Sequence, residues 1–153
     1  MLTRWILASL HLIALGLGLG AVYARAKALR GPLDPAGLSR VFLADTFWGI
    51  AGVLWLVTGL VRAFGGFEKG TVYYMSQPLF HAKLTLVAVI FALEGWVTFT
   101  LTKWRFAPRE SLQPDPRTAR RMAAVSHAQA GIVFLIVFVA AAIARGLWMR
   151  EGG

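Results

Sequence analysis

The stretch from Leu79 to Trp96, "LFHAKLTLVAVIFALEGW", is apolar along almost its whole length. The run continues without further charge to Thr102, and about 20 apolar residues are enough to cross a bilayer as a helix. Two charged residues nevertheless interrupt it, Lys83 near its start and Glu94 well inside it. Charged side chains inside a span are costly, so they indicate a site within a membrane protein.

Three further apolar runs are also long enough to cross a bilayer as helices. The four expected spans cover approximately residues 5–24, 42–61, 79–102 and 123–147. The composition agrees, because 58% of the residues are hydrophobic and only 15% are charged. Short connections favour sequential antiparallel neighbours. We therefore predict an all-α integral membrane four-helix bundle with up-down topology, formed by one transmembrane domain over residues 1–153.

The first run has a second interpretation as a signal peptide. Small residues near Ala24 and Ala26 resemble a cleavage site. The run is longer than the usual apolar core of about 7 to 15 residues, and one charge precedes it. A membrane span is therefore the preferred interpretation.

Basic residues are concentrated in the first and third loops. They are Arg25, Lys27, Arg30 and Arg40 in loop one, and Lys103, Arg105, Arg109, Arg117, Arg120 and Arg121 in loop three. The second loop has only Lys69, with Arg62 at its border. Because cytoplasmic loops are rich in Lys and Arg, loops one and three are expected inside and both termini outside. This pattern explains the net charge of +9 without a nucleic-acid partner.

Two possible metal ligands reach similar depths from the outer side. His11 lies roughly 9 Å into its span and Lys83 roughly 6 Å into its own, at about 1.5 Å per residue. Neutral imidazole is a common metal ligand, and a buried lysine can lose its proton. His81 is two residues before Lys83 and therefore projects about 160° away from it. The alternative is that Lys83 extends to the headgroups and that His11 bonds a neighbouring helix.

Polar residues also occur toward the inner side. Glu94 and His127 lie at comparable depths, and a carboxylate near an imidazole can form a proton relay. The alternative is a neutral Glu94 that is hydrogen-bonded to a facing helix. Asp45 is expected to pair with Arg25 or Arg40 or to cap a helix. We also expect Ser126 and Gln129 to form interhelical hydrogen bonds. Gly16 and Gly20 are expected to allow close helix packing or to leave space for a flat cofactor.

Two segments carry a resemblance to known families. "LFHAKLTLVAVI" (Leu79–Ile90) resembles the third-helix motif of HemJ-type protoporphyrinogen oxidases, and a lysine recurs at a similar position in CopD-type copper-resistance membrane domains. "SLHLIALGLGLGA" (Ser9–Ala21) is similar to the first helix of the HemJ group. As a whole the chain resembles a family of bacterial four-helix membrane proteins related to both groups. The resemblance implies b-type heme at His11 and Lys83, and it implies a bacterial cytoplasmic (inner) membrane as the location.

The expected function is heme b binding near the outer face, for electron transfer or for porphyrin- or quinone-type redox chemistry. The candidate metal ligands are His11 and Lys83, His81 is a further cofactor-binding candidate, and Glu94 and His127 are the catalytic candidates. The partner would be a membrane redox protein or a lipophilic substrate. A copper-handling domain is an alternative, although the chain has no cysteine to offer a soft ligand. A non-catalytic membrane subunit is another alternative. The sequence leaves open whether the protein has turnover and whether it forms a homo-oligomer.

The orientation can be tested with a reporter fused after Gly153. We expect the reporter to be outside the cytoplasm, so an alkaline phosphatase fusion should be active there. A matched fusion at Gln113, in the third loop, should be inactive. An inactive phosphatase at Gly153 together with an active one at Gln113 would reverse the orientation.

Overall fold

A computed structural model describes residues 1–66 and 71–146 of the chain. Within this part there are five helices and no strand: α1 (Leu2–Arg30), α2 (Pro35–Phe64), α3 (Thr71–Ser76), α4 (Pro78–Phe106) and α5 (Pro116–Ala144). The four long helices have 29 or 30 residues each and are apolar enough to cross a membrane. The all-α four-helix prediction is confirmed, with the short α3 added in the second connection. Lys69, residue 147 and Gly153 lie outside the described residues.

The first connection places an aspartate and a proline where α2 begins. The Asp34 carboxylate accepts a hydrogen bond from the Gly37 amide at 2.7 Å, and Pro35 is the first helical residue. Proline fits that position because its backbone angle is already helical and its missing N–H has no partner there in any case. Gly37 is required by space, since a β-carbon on it would collide with the Pro32 carbonyl oxygen. The sharp turn between α1 and α2 follows from these contacts.

The first helix extends past the end of its apolar run. The charge pattern assigned Arg25 to loop one, but α1 continues to Arg30 and the Arg25 side chain is completely buried. Residues 24–30, "ARAKALR", are all good helix formers. Lys27 and Arg30 also stand in the last turn, where positive charge favours the helix dipole. The loop assignment of Arg25 is therefore wrong, and this residue belongs to the bundle interior.

The first helix packs against α2 and α5, and α5 packs against α4. Gly18 lets α1 approach α2 closely, because a β-carbon there would lie 3.4 Å from that of Ala51. A β-carbon on Gly16 or Gly20 would meet nothing within 4 Å. Within the described chain, the close helix contact is therefore made at Gly18, on the opposite side of the helix, and not at Gly16 or Gly20 as expected. The α2 and α4 backbones approach each other little among the described residues, and long side chains bridge them.

The start of α5 gives a test of these boundaries. The Asp115 carboxylate accepts hydrogen bonds from the Thr118 hydroxyl at 2.7 Å and from the Arg117 and Thr118 amides. These donors hold the pKa of Asp115 below its ordinary value. The cap therefore stabilises the helix at pH values above the ordinary aspartate pKa, and its contribution is lost as the pH falls through the lowered one.

We expect Asp115→Ala to speed amide hydrogen exchange at Arg117 and Thr118 near neutral pH, because both amides lose their acceptor. Acidification through the lowered pKa should reduce the protection of the same amides in the unaltered protein, measured relative to their intrinsic exchange rate at each pH. Glu110→Ala, in the same loop, is the control and should leave them unchanged. Equal exchange in the Asp115→Ala and unaltered proteins would show that the carboxylate does not cap α5.

Candidate functional site

A cavity of about 570 Å³ lies among the halves of the four long helices that are expected to face outside. We call it the outer cavity. His11 lines it from α1, Trp55 and Gly59 from α2, Lys83 from α4 and Ile136 from α5. Both residues proposed from the sequence as ligands thus contribute to one cavity. Most of its remaining lining is aliphatic or aromatic.

The His11 ring is positioned by α2. Its Nδ1 lies 2.9 Å from the Thr58 hydroxyl oxygen, and that hydroxyl donates to the Leu54 carbonyl oxygen at 2.7 Å. Because the hydroxyl hydrogen is used in this way, its oxygen accepts from Nδ1–H. A neutral ring then carries its lone pair on Nε2. Gly59 makes room for this arrangement, since a β-carbon there would lie 3.2 Å from His11 Cε1.

Trp55 contacts both candidate ligands. The His11 ring stacks on it with centroids 5.2 Å apart and an angle of 21° between the planes. The Lys83 Nζ lies 5.8 Å from the Trp55 ring centroid, within the range of a cation–π contact. Sequence analysis identified neither Thr58 nor Trp55 as part of this site.

His81 lies away from the outer cavity. Its side chain is exposed, and its Nε2 is 2.8 Å from the Met75 carbonyl oxygen. His81 is not among the residues that line the cavity within the described part of the chain. This placement agrees with the expected angle of about 160° between residues two positions apart on a helix. The structure therefore brings His11 and Lys83 together without His81.

A second set of polar side chains surrounds the Arg25 guanidinium. It donates to both carboxylate oxygens of Glu94, at 2.7 and 2.9 Å, and to Asp45 at 2.8 Å. It also donates to Gln129 at 2.8 Å, while its Nε reaches the Ser126 hydroxyl at 3.1 Å. These partners come from α2, α4 and α5, so this Arg25 cluster joins all four long helices. The expected pairing of Asp45 and the interhelical bonds of Ser126 and Gln129 are confirmed.

The Glu94 carboxylate has further donors. Trp48 Nε1 and Gln129 Nε2 reach its Oε2 at 3.0 and 2.8 Å, and the Thr98 hydroxyl lies 3.2 Å from its Oε1. The second oxygen of Asp45 lies 3.3 Å from Arg105 Nη2, so α2 and α4 are also linked at the membrane edge. The carboxylates are thus held by several charge-assisted hydrogen bonds, which are the stronger kind.

His127 belongs to a different set of contacts. Its Nδ1 lies 2.9 Å from the Ala123 carbonyl oxygen of its own helix, and its ring meets the Tyr23 ring edge-on at 5.9 Å. Among the described residues, Glu94 does not bond directly to His127. A relay between the two catalytic candidates, Glu94 and His127, stays a prediction and would need an intervening water.

An apolar layer separates the outer cavity from the Arg25 cluster. Val22, Trp48 and Val133 form its buried part, and Leu19 and Ile90 pack against them. On each helix these positions lie between a residue of the cavity and a residue of the cluster. Lys83 and Glu94, although 11 residues apart on α4, therefore belong to two distinct polar sites rather than to one continuous polar path.

The Arg25 cluster gives a stability prediction. Arg25→Met should destabilise the purified protein by about 3–5 kcal/mol, because it leaves two partly buried carboxylates, Glu94 and Asp45, without their shared cation. Arg105→Met is a matched control, since Arg105 also bonds Asp45 but its side chain is 39% exposed. An exposed pair contributes only about 0–1 kcal/mol. Chemical unfolding in mild detergent would measure both, and equal losses would refute the central role of Arg25.

Comparison with known proteins places the chain in a family. The family model described as "Predicted membrane protein (DUF2214)" matches residues 3–147. No curated protein and no solved structure matches the chain significantly. The description of the family names no activity, so the resemblance to HemJ-type and CopD-type proteins stays a prediction. The match covers nearly the whole chain and agrees with its four membrane-length helices, and the protein therefore belongs to the DUF2214 family of predicted membrane proteins.

Proposed function

We propose that the outer cavity binds b-type heme, with His11 and Lys83 as iron ligands, and that the protein transfers electrons in the bacterial cytoplasmic membrane. The observation that carries the proposal is the meeting of these two donors in one apolar cavity. They come from α1 and α4, which are 72 residues apart at these positions. Nitrogen donors, histidine above all, are typical axial ligands of heme iron.

The donor set and the cavity fit such a group. The volume of about 570 Å³ is in the range of small-molecule and cofactor sites, about 300–1,000 Å³. Leu15, Val87 and Ile136 supply apolar walls, and Arg62 also lines the cavity. Thr58 holds the His11 ring so that Nε2 is the nitrogen able to offer a lone pair. Ligand orientation by a hydrogen bond to the other ring nitrogen is usual at metal sites.

Each residue then has a defined task. Thr58 orients His11, Trp55 packs against both donors, and the apolar walls exclude water. Lys83 could act as a ligand only as the neutral amine, so a protonated Lys83 would release one proton from Nζ on binding. Bound heme would supply one-electron redox chemistry. The low contact between the α2 and α4 backbones supports a lipophilic partner that approaches from the bilayer.

The donor set distinguishes this proposal from copper handling. Within residues 1–66 and 71–146, no three or more His, Asp or Glu side chains form a group that could hold a metal ion. One imidazole and one amine suit an iron whose other four ligands belong to a porphyrin. They provide less than the three or four protein ligands that a closed metal site needs.

The absorbance spectrum of the protein, purified from cells supplied with heme precursor, tests the proposal. We expect a Soret band in the unaltered protein and its loss in His11→Ala. Lys83→Met should shift the band, because a thioether replaces the amine. Thr58→Val should weaken heme binding about tenfold through the lost orientation of His11. Thr85→Val, which removes an exposed hydroxyl of α4, and His81→Ala are the controls and should change little.

Two outcomes would contradict the proposal. A protein that stays colourless with ample heme precursor would exclude heme, and bound copper in that protein would support the copper alternative. A Soret band that survives His11→Ala and disappears in His81→Ala would move the ligand to His81. Heat-induced unfolding of each variant should be compared, so that loss of heme is separated from loss of fold.

A further inference from the structure

A groove runs along the lipid-facing side of α1 and α2, away from the outer cavity. Its volume is about 740 Å³, and it is lined by Gly16, Gly20 and Ala24 on α1 and by Leu43 and Phe47 on α2. We call it the α1–α2 groove. Gly16 and Gly20 have no side chains to fill the groove, and a β-carbon on either would meet nothing within 4 Å. Leu43 and Phe47 are 60% and 44% exposed, so no described part of the chain covers the groove.

One end of the groove is positively charged. Lys27 and Arg40 line this end, beside Gly31. Both side chains are exposed, and among the described residues neither forms an ion pair with an aspartate or glutamate. The nearby Asp34 carboxylate is bonded to the Gly37 amide as the cap of α2. The groove thus presents two cations at the membrane surface and none deeper along its length.

The length of the groove matches one leaflet. Gly16 and Lys27 are 11 residues apart on α1, which is about 16 Å along a helix. The hydrocarbon core of a bilayer is about 30 Å thick, so each leaflet contributes about 15 Å. The charged end therefore lies at headgroup depth when the glycines lie near the middle of the bilayer. An anionic headgroup with attached acyl chains has the same distribution of charge and apolar surface.

We propose that the α1–α2 groove binds one anionic phospholipid from the leaflet beside loops one and three. Lys27 and Arg40 hold its phosphate, and an acyl chain lies over Gly16 and Gly20 between Leu43 and Phe47. Basic residues at the cytoplasmic ends of membrane helices bind anionic lipid headgroups in this way. The proposal is independent of heme, since the outer cavity shares none of these residues.

Charge argues against a second copy of the chain as the occupant. Glycines four residues apart are typical of close helix pairs in membranes. A parallel pair through this face, however, would place Lys27 and Arg40 of both copies at the same end of the contact. Like charges brought together in this way oppose association, whereas an anionic lipid neutralises them.

Native mass spectrometry of the full chain, titrated with phosphatidylglycerol or with phosphatidylcholine of the same acyl chains, tests the proposal. We expect the unaltered protein to retain phosphatidylglycerol preferentially. The double variant Lys27→Gln and Arg40→Gln should lower its apparent affinity roughly 30-fold, at about fivefold for each charge. Gly20→Leu should also abolish the preference, without a change in charge, because the leucine fills the groove.

Matched controls separate the groove from net charge and from added bulk. Arg109→Gln with Arg117→Gln removes two exposed charges, one from the connection before α5 and one from the first turn of α5. Gly131→Leu adds a leucine on α5 where a β-carbon meets nothing within 4 Å. Both controls should keep the preference for phosphatidylglycerol. Helix content measured by circular dichroism confirms that each variant is folded, and Gly16→Leu serves as a second groove-filling variant should Gly20→Leu fail to fold.

Three results would overturn the proposal. Equal retention of the two lipids would remove the role of charge. Unchanged phosphatidylglycerol affinity in the double glutamine variant would place the lipid elsewhere. A dimer that becomes a monomer in Gly20→Leu, with lipid retention unchanged, would identify a second copy of the chain as the occupant.

Discussion

The rest of the structure depends on how the Arg25 guanidinium is neutralised. A buried cation in a membrane span is costly unless its charge and its N–H groups find partners. Each of the five N–H groups of an arginine can donate, and Arg25 makes five side-chain hydrogen bonds to Glu94, Asp45, Gln129 and Ser126. Since these partners stand on three other helices, the requirement fixes the relative heights of all four. One buried charge thus sets the register of the bundle.

The cluster also explains where the bundle is open. Long polar side chains join α2 to α4 at the Arg25 cluster and at its inner edge, through Trp48 with Glu94 and Arg105 with Asp45. The two backbones themselves have few contacts with each other among the described residues. Toward the outer side, beyond the apolar layer, the same separation leaves room for the outer cavity. The Arg25 cluster thus bridges α2 and α4 on one side of the apolar layer, and the outer cavity lies between the same helices on the other side.

The sequence predicts the helices and part of the site. Four long apolar runs allow no other way to satisfy the backbone in lipid, so the architecture follows from them directly. Depth along the spans also placed His11 and Lys83 at one level, and the structure puts both in one cavity. Arg25 was expected as a possible partner of Asp45, but its burial among four helices was missed because it follows the last apolar residue of its run, where a basic residue is ordinarily a loop charge. Two acidic residues within spans, Asp45 and Glu94, were a signal that a cation had to be nearby. Spacing alone also could not tell whether Gly18 or the pair Gly16 and Gly20 faces the bundle, since all three are on one helix.

The central claim is that Arg25 and Glu94 act as one coupled pair at the centre of the bundle. A double-mutant cycle with Arg25→Met, Glu94→Met and the combined variant measures that coupling, from the free energy of unfolding in mild detergent. Arg25→Met leaves the Glu94 carboxylate without its cation, and Glu94→Met leaves Arg25 with Asp45 as its one carboxylate partner among the described residues. The combined change removes both charges, and Asp45 keeps its bond to Arg105. The account predicts that the combined variant is less destabilised than the sum of the single variants by about 1–3 kcal/mol. Additive losses, equal within about 0.5 kcal/mol, would contradict it.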